Sequence, residues 1–215
     1  MTRHLVSVAA LLLAACSSPG GQPTGLQEAY TLLAGDDGTV TPRFAAIATT
    51  PRPILQVGLP DAGTAGNMLL EARNGDYEHY LSPNAASITL NRGMLHNMFG
   101  FGEGLMATEV SEPLRLILSG QGGTADRIHT YLGGDDRTFF RTYRCVISAQ
   151  GNQPVQLINR TVTARLMRED CRNAEHAFTN LYWVDQGRGD IVQSRQWAGP
   201  NIGAVSTRRA GLSGQ

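Results

Sequence analysis

The chain has 215 residues, 41% of them hydrophobic, and its 18 basic and 18 acidic side chains cancel at neutral pH. That length suits one well-buried core and is short for two domains; the balanced charge gives no reason to expect nucleic acid as a partner. Every basic residue is arginine, whose forked guanidinium suits carboxylates and phosphates, although genomic base composition also removes lysine.

The chain opens with Arg3 and His4, followed by an apolar run from Leu5 to Leu13. The run falls well short of the roughly 20 residues of a bilayer-spanning helix and has the size of a signal-peptide core. Leu13-Ala14-Ala15-Cys16 leads small residues directly into a thiol, and Ser17-Ser18-Pro19-Gly20-Gly21 follows as a tether. This arrangement resembles the bacterial lipobox, in which the cysteine is acylated and the peptide is cut before it. The alternative is a plain secretory signal with an incidental cysteine, or a short membrane anchor. On the lipobox reading residues 1–15 are a signal peptide, 16–24 a lipidated tether and 25–215 a single β-rich periplasmic domain. Ser17 at the second mature position resembles lipoproteins sorted onward, which implies a lipid anchor at the periplasmic face of the outer membrane. No other apolar run approaches spanning length.

Charge is unevenly spread along the mature chain. Residues 16–136 carry 13 acids and 6 arginines, a net −7, whereas residues 137–215 carry 11 arginines and 5 acids, a net +6. Either the two halves neutralise each other on folding, or a basic face remains for an acidic partner.

Beyond the tether, Leu26, Tyr30 and Leu33 fall on one helical face, with Thr24 and Gln27 at capping-box spacing and Gly35 as a stop. This predicts the only helix of the mature chain. Asp36-Asp37-Gly38 reads as a solvated turn rather than a cation site. The text then reads as β. Ile54–Leu59, Met68–Ala72, Tyr77–Leu81 and Ala86–Leu90 are separated by turn residues that include Asn74-Gly75, a tight-hairpin pair. Asn91-Arg92-Gly93-Met94 begins a further hairpin, and Gly100-Phe101-Gly102-Glu103-Gly104 reads as a loop with unusual backbone angles. Its spacing fits neither phosphate-binding fingerprint. Leu114–Leu118 is a short apolar run. Ile128–Leu132, Thr138–Ser148, Pro154–Ile158 and Thr161–Met167 continue the β text, and a closing hairpin joins Tyr182-Trp183-Val184 to Ile191–Trp197. The expected fold is mainly β: a single antiparallel β-domain, a meander or barrel-like sheet, with one short N-terminal helix.

Cys145 and Cys171 form an even pair in an oxidising compartment, which predicts a disulfide, with two buried thiols as the alternative. Two cysteines without a histidine pair at ligand spacing do not make a metal site. His79 lies beside Glu78 and Asp76 in a strand, an arrangement open to acid–base work but more often structural. No catalytic constellation stands out, so neither cofactor nor metal is expected and the chain is read as non-enzymatic.

Asn180-Leu181-Tyr182-Trp183-Val184-Asp185, a Gly-containing turn, then Ser194-Arg195-Gln196 with Pro200 beyond it resemble the closing segment of the YjbF/GfcB lipoproteins of group 4 capsule and related exopolysaccharide operons. Gly93-Met94-Leu95 followed by Gly100-Phe101-Gly102 is similar to that family's glycine-bearing hairpin. The resemblance implies an outer-membrane-anchored accessory protein of exopolysaccharide production or export, mainly β, with no established catalytic residues. The other readings are a periplasmic glycan-modifying enzyme and an assembly factor for an outer-membrane export protein. Trp183 and Trp197 offer flat faces for sugar stacking, with Arg195 and Gln196 beside them, yet large aromatics on adjacent strands also fill cores. Arg137 and Arg141 fall on one strand face in the basic segment and would either attract an acidic polymer or pair with the acidic half.

Overall fold

The computed structural model describes residues 40–102, 105–133, 137–158 and 160–212. The signal peptide, Cys16, the tether, the expected helix over residues 24–35 and the Asp36-Asp37-Gly38 turn lie outside them.

Twelve strands form one antiparallel sheet: β1 (Pro53–Leu59), β2 (Thr64–Asn74), β3 (Tyr77–Leu81), β4 (Ser87–Asn91), β5 (Met94–Phe99), β6 (Leu105–Glu109), β7 (Gly123–Leu132), β8 (Thr138–Gln156), β9 (Thr161–Arg172), β10 (Ala177–Asp185), β11 (Ile191–Gly199) and β12 (Gly203–Leu212). The order is β5-β4-β3-β2-β1-β12-β11-β10-β9-β8-β7-β6. Chain neighbours therefore pair throughout, except that β1 pairs with β12 and the sheet stays open between β5 and β6. That seam is nearly shut: the Thr108 hydroxyl donates to the Leu95 carbonyl at 2.7 Å, and His96 Nδ1 lies 3.2 Å from the Thr108 carbonyl. The result is the expected barrel-like β-domain.

Period-two alternation decides which side chains point inward. On β1, Leu55 and Val57 join Met68, Tyr80, Ile88, Leu90 and Val205 in the main core, whereas Gln56 and Gly58 face out. On β7 the inward set is Ala125, Arg127, His129 and Tyr131, all buried.

Two α-helices sit among the described residues, besides a single 3-10 turn at Pro60–Ala62. In α1 (Pro42–Ile47) the Thr41 hydroxyl accepts from the Phe44 N–H and Pro42 occupies the first turn. It lays Phe44 on Ile54, Leu69, Leu81 and Ala210, covering part of the outer face of the sheet. The second, α2 (Ser111–Ser119), corrects the expectation of a lone N-terminal helix. The apolar run Leu114–Leu118 is helical, with Leu114 and Ile117 one turn apart, and Gly120 closes it at φ +75°. Its apolar face packs on Met94, Ala125, Ile147 and Met167 inside the barrel. Thr138–Ser148 and Pro154–Ile158 likewise merge into one long strand, β8, whose break is a bulge between Ala149 and Asn152.

Cys145 and Cys171 stand directly opposite each other on β8 and β9 and form a disulfide within the barrel, packed with Tyr143 and Phe178. Cross-linking positions 26 residues apart restricts the unfolded chain by about 3 kcal/mol. The double substitution C145A/C171A is therefore expected to lower the urea midpoint correspondingly. An unchanged midpoint would assign the strand ladder alone the work of holding β8 to β9.

Candidate functional site

The Asn-Leu-Tyr-Trp stretch of β10 divides between two faces. Asn180 and Tyr182 point into the barrel and Trp183 points out. Inside, Glu169 accepts from Asn180 Nδ2 at 2.8 Å, from Tyr182 Oη at 2.8 Å and from Arg127 Nη2 at 3.0 Å, all at Oε2. Arg127 Nη2 also donates to Tyr182 Oη at 2.8 Å and rests against the Met94 sulfur at 3.4 Å. Burial penalises the Arg127 guanidinium, but the adjacent carboxylate and phenol outweigh that penalty and raise its pKa. Burial likewise drives the Tyr182 hydroxyl well above its ordinary value. His129, one inward position from Arg127, is held well below its usual pKa by burial and then by that guanidinium, so the imidazole stays neutral. Arg127, Glu169, Asn180 and Tyr182 thus form a buried network bonded from within, whereas His129 bonds Tyr131 Oη through Nδ1 and its Nε2 is buried without a partner among the described residues.

Ser194-Arg195-Gln196 divides in the same way. Ser194 bonds the Thr207 hydroxyl at 2.7 Å, and Gln196 Nε2 donates to Ser194 Oγ at 2.8 Å. Gln196 also accepts from the Leu95 N–H at 2.8 Å and donates to the Gly93 carbonyl at 3.1 Å. It is buried and clamps the β4–β5 hairpin against β11, so it does not reach the surface as the sequence reading had it. Arg195, between them, faces out.

The outward residues meet in a groove of about 560 Å³ on the outer face of β2, β1, β12, β11 and β10. Register builds it. Asn67 stands opposite Gln56, Gln56 opposite Arg208, Arg208 opposite Gln193, and Gln193 opposite Trp183. One row across five strands is thus amide, amide, guanidinium, amide, indole. The next outward row is Ala65, Gly58, Ser206 and Arg195, of which the first three are small enough to leave a floor. Arg208 Nε donates to Gln193 Oε1 at 2.7 Å and Trp183 Nε1 to Gln153 Oε1 at 3.0 Å, which fixes both side chains. Trp183 is half-buried beside the curled end of the β8–β9 hairpin, where Val155, Leu157 and Ala164 pack on Val192. Arg195 also lines a smaller neighbouring recess of about 210 Å³ with Trp197 and Asp61. The structure therefore brings Trp183, Arg195 and Trp197 to one stretch of surface. Trp197 stacks on Phe178 with ring centroids 5.5 Å apart and is partly core.

Arg137 and Arg141 lie elsewhere. The Arg141 guanidinium sits over the rings of Tyr131 and Phe139, 5.5 and 5.1 Å from their centroids, and 3.9 Å from Glu175. Arg137 borders the β7–β8 turn, where its carbonyl accepts from the Gly133 N–H. The arginines of the basic segment pair largely with carboxylates near them in the sheet: Arg144 with Asp126, Arg160 with Asp185 and Arg168 with Asp170. Glu78 and His79 separate to opposite faces. His79 meets Thr89 and Glu71, whereas Glu78 turns inward to Arg209 and Arg73. Burial alone would raise the Glu78 carboxyl, but those two guanidiniums hold it below the usual range.

Fold and side-chain placement define a class: a nearly closed antiparallel barrel with a filled interior and a groove on its outer face. The family model described as group 4 capsule polysaccharide lipoprotein gfcB, YjbF matches residues 27–209, and the chain belongs to that family of capsule polysaccharide lipoproteins. The crystal structure of the hypothetical lipoprotein YmcC from Escherichia coli K12 has the same fold, with a TM-score of 0.66 and 20% identity over 88% of this chain and 97% of that one. Comparison with curated proteins finds no match.

Proposed function

We propose that the chain is a non-enzymatic accessory lipoprotein of capsule or exopolysaccharide production or export, tied through acylated Cys16 to the periplasmic face of the outer membrane. Its part there is to hold a segment of acidic polymer along the outer groove. The row Asn67, Gln56, Arg208, Gln193, Trp183 carries this reading. Side-chain amides bond sugar hydroxyls, an indole face packs on the apolar side of a pyranose, and Arg195 and Arg208 supply charge for carboxylates. The residues lining the groove include no carboxylate, cysteine or histidine, so its serine and threonine hydroxyls have no base from the lining to activate them, and amides, guanidiniums and an indole offer binding chemistry.

A polyuronate titrated into the full chain is expected to bind weakly, and more weakly as salt rises. W183A and R195Q should each reduce affinity about five- to tenfold, on the scale of one aromatic or charge-assisted contact. R141Q, at a guanidinium already stacked on two rings, should leave binding unchanged. Affinity indifferent to salt and to both groove substitutions would remove the polymer from this surface and favour an outer-membrane export protein as the partner.

A further inference from the structure

A second recess, of about 410 Å³, lies where β1 begins and β12 ends, beside the β8–β9 and β10–β11 turns. Arg73, Arg160, Arg188 and Arg209 line it. Glu78 neutralises Arg73 and Arg209 jointly, and Asp185 faces Arg160 at 3.4 Å. Asp190, at the rim, pairs with Arg92 at 3.4 Å. Arg188 is exposed and has no partner among the described residues. Five guanidiniums thus face three carboxylates, and the recess keeps an excess of two positive charges. Apart from Tyr80 its remaining walls are mostly aliphatic, and Ile158 and Leu212 stand 52% and 40% exposed at its edge.

Cation and exposed aliphatic side by side suit an amphiphilic anion better than a sugar hydroxyl array. The position of the chain's entry agrees. Val40, the first described residue, packs on the cluster of Phe44, Ile54 and Ala210, and Ile54 and Ala210 are also walls of this recess. The chain from Cys16 therefore enters the described domain, at Val40, beside the basic recess. We infer that the recess seats the phosphate-bearing headgroup of an anionic glycerophospholipid of the membrane that holds the chain, with Ile158 and Leu212 entering the interfacial layer. Arg188 supplies the unpaired fork for the phosphate, and the aliphatic rim adds burial against the glycerol and upper acyl region. Docking in this manner fixes the outer groove relative to the membrane plane rather than leaving the domain free on its tether. The inference rests on the anchored reading above.

The test uses the full chain in detergent, titrated with dihexanoyl phosphatidylglycerol, with dihexanoyl phosphatidylcholine and inorganic phosphate as comparison probes. Saturable binding of the phosphatidylglycerol is expected, with phosphatidylcholine at least about tenfold weaker. R188Q should lose about tenfold in affinity, the scale of one charge-assisted contact, at an unchanged melting temperature, because Arg188 makes no contact that folding needs. Inorganic phosphate binding as tightly as the lipid would overturn the lipid assignment and leave a plain anion site. Lipid binding unaffected by R188Q would overturn the recess as its seat. The N-terminal mass of the same preparation reads the anchor separately. Acylated Cys16 without lipid binding sinks the recess alone, and an unmodified Cys16 sinks the anchor and with it the membrane as the source of the ligand.

Discussion

Glu169→Ala is expected to destabilise the domain by about 3–5 kcal/mol, a large part of what holds a domain of this size together. The reason is what the substitution leaves behind. Arg127 is 1% exposed, and its guanidinium is answered chiefly by the Glu169 carboxylate at 3.0 Å. Without that carboxylate a buried cation remains, and Asn180 Nδ2 loses its acceptor in the same step. The paired replacement R127M/E169L removes both charges and keeps apolar volume beside Met94 and Met167, so it should cost far less than either single change. Urea unfolding of R127M, E169L and R127M/E169L closes the cycle, with E169A measured beside them. Equal costs for E169A and the double would mean that the pair contributes little beyond its volume.

That network also explains which parts of the sequence carried their meaning openly. Strands whose alternation is made of large side chains, such as Tyr77–Leu81, announced themselves, and β3 has those limits. β12 did not. Gly203-Ala204-Val205-Ser206-Thr207-Arg208-Arg209-Ala210 is built largely of small and charged residues, yet it is the strand that pairs with β1 and so joins the last strand to the first in mid-sheet. Its inward arginine, Arg209, is tolerable only because Glu78 waits across the barrel at 2.6 Å, a contact 131 positions away in the chain. α2 was hidden for a different reason: nine residues with Pro113 in the first turn make a weak local signal, and its apolar stripe acquires meaning only against Met94 and Met167. The closing hairpin was legible as a motif but not as a division of labour. Asn180, Tyr182, Ser194 and Gln196 serve the interior, while Trp183 and Arg195 face the groove. The groove itself could not be read from the sequence, because Asn67, Gln56, Arg208, Gln193 and Trp183 become a row only through the register of five strands. The uneven charge is met only in part: Arg144 and Arg209 of the basic half reach Asp126 and Glu78 of the acidic half, whereas Arg160 and Arg168 pair with Asp185 and Asp170 of their own half.

Gly93→Ala is expected to cost about 4 kcal/mol, well beyond an ordinary turn substitution. Gly93 lies in the β4–β5 hairpin at φ +94°, where an L side chain is strained by about 1–3 kcal/mol. A Cβ there would also stand 2.6 Å from Ile191 Cβ and 2.7 Å from the Ile191 carbonyl. Backbone cannot swing aside as a flexible side chain can, so the hairpin must back away from β11, at an overpacking cost of about 1–3 kcal/mol. Retreat would pull the Gly93 carbonyl and the Leu95 N–H off Gln196, which bonds both. Gly75, in the β2–β3 hairpin, is the control: its φ is +57°, but nothing lies within 4 Å of an added Cβ. Gly75→Ala should therefore cost only the backbone strain, about 1 kcal/mol. The coupling to Gln196 gives a further reading. If the hairpin retreats, G93A and Q196A break the same two hydrogen bonds, and their double should be less destabilising than the two singles added together. Urea midpoints for G93A, G75A, Q196A and G93A/Q196A decide it. Equal costs at the two glycines, or strict additivity with Q196A, would mean that β4–β5 does not rest on β11 through Gly93.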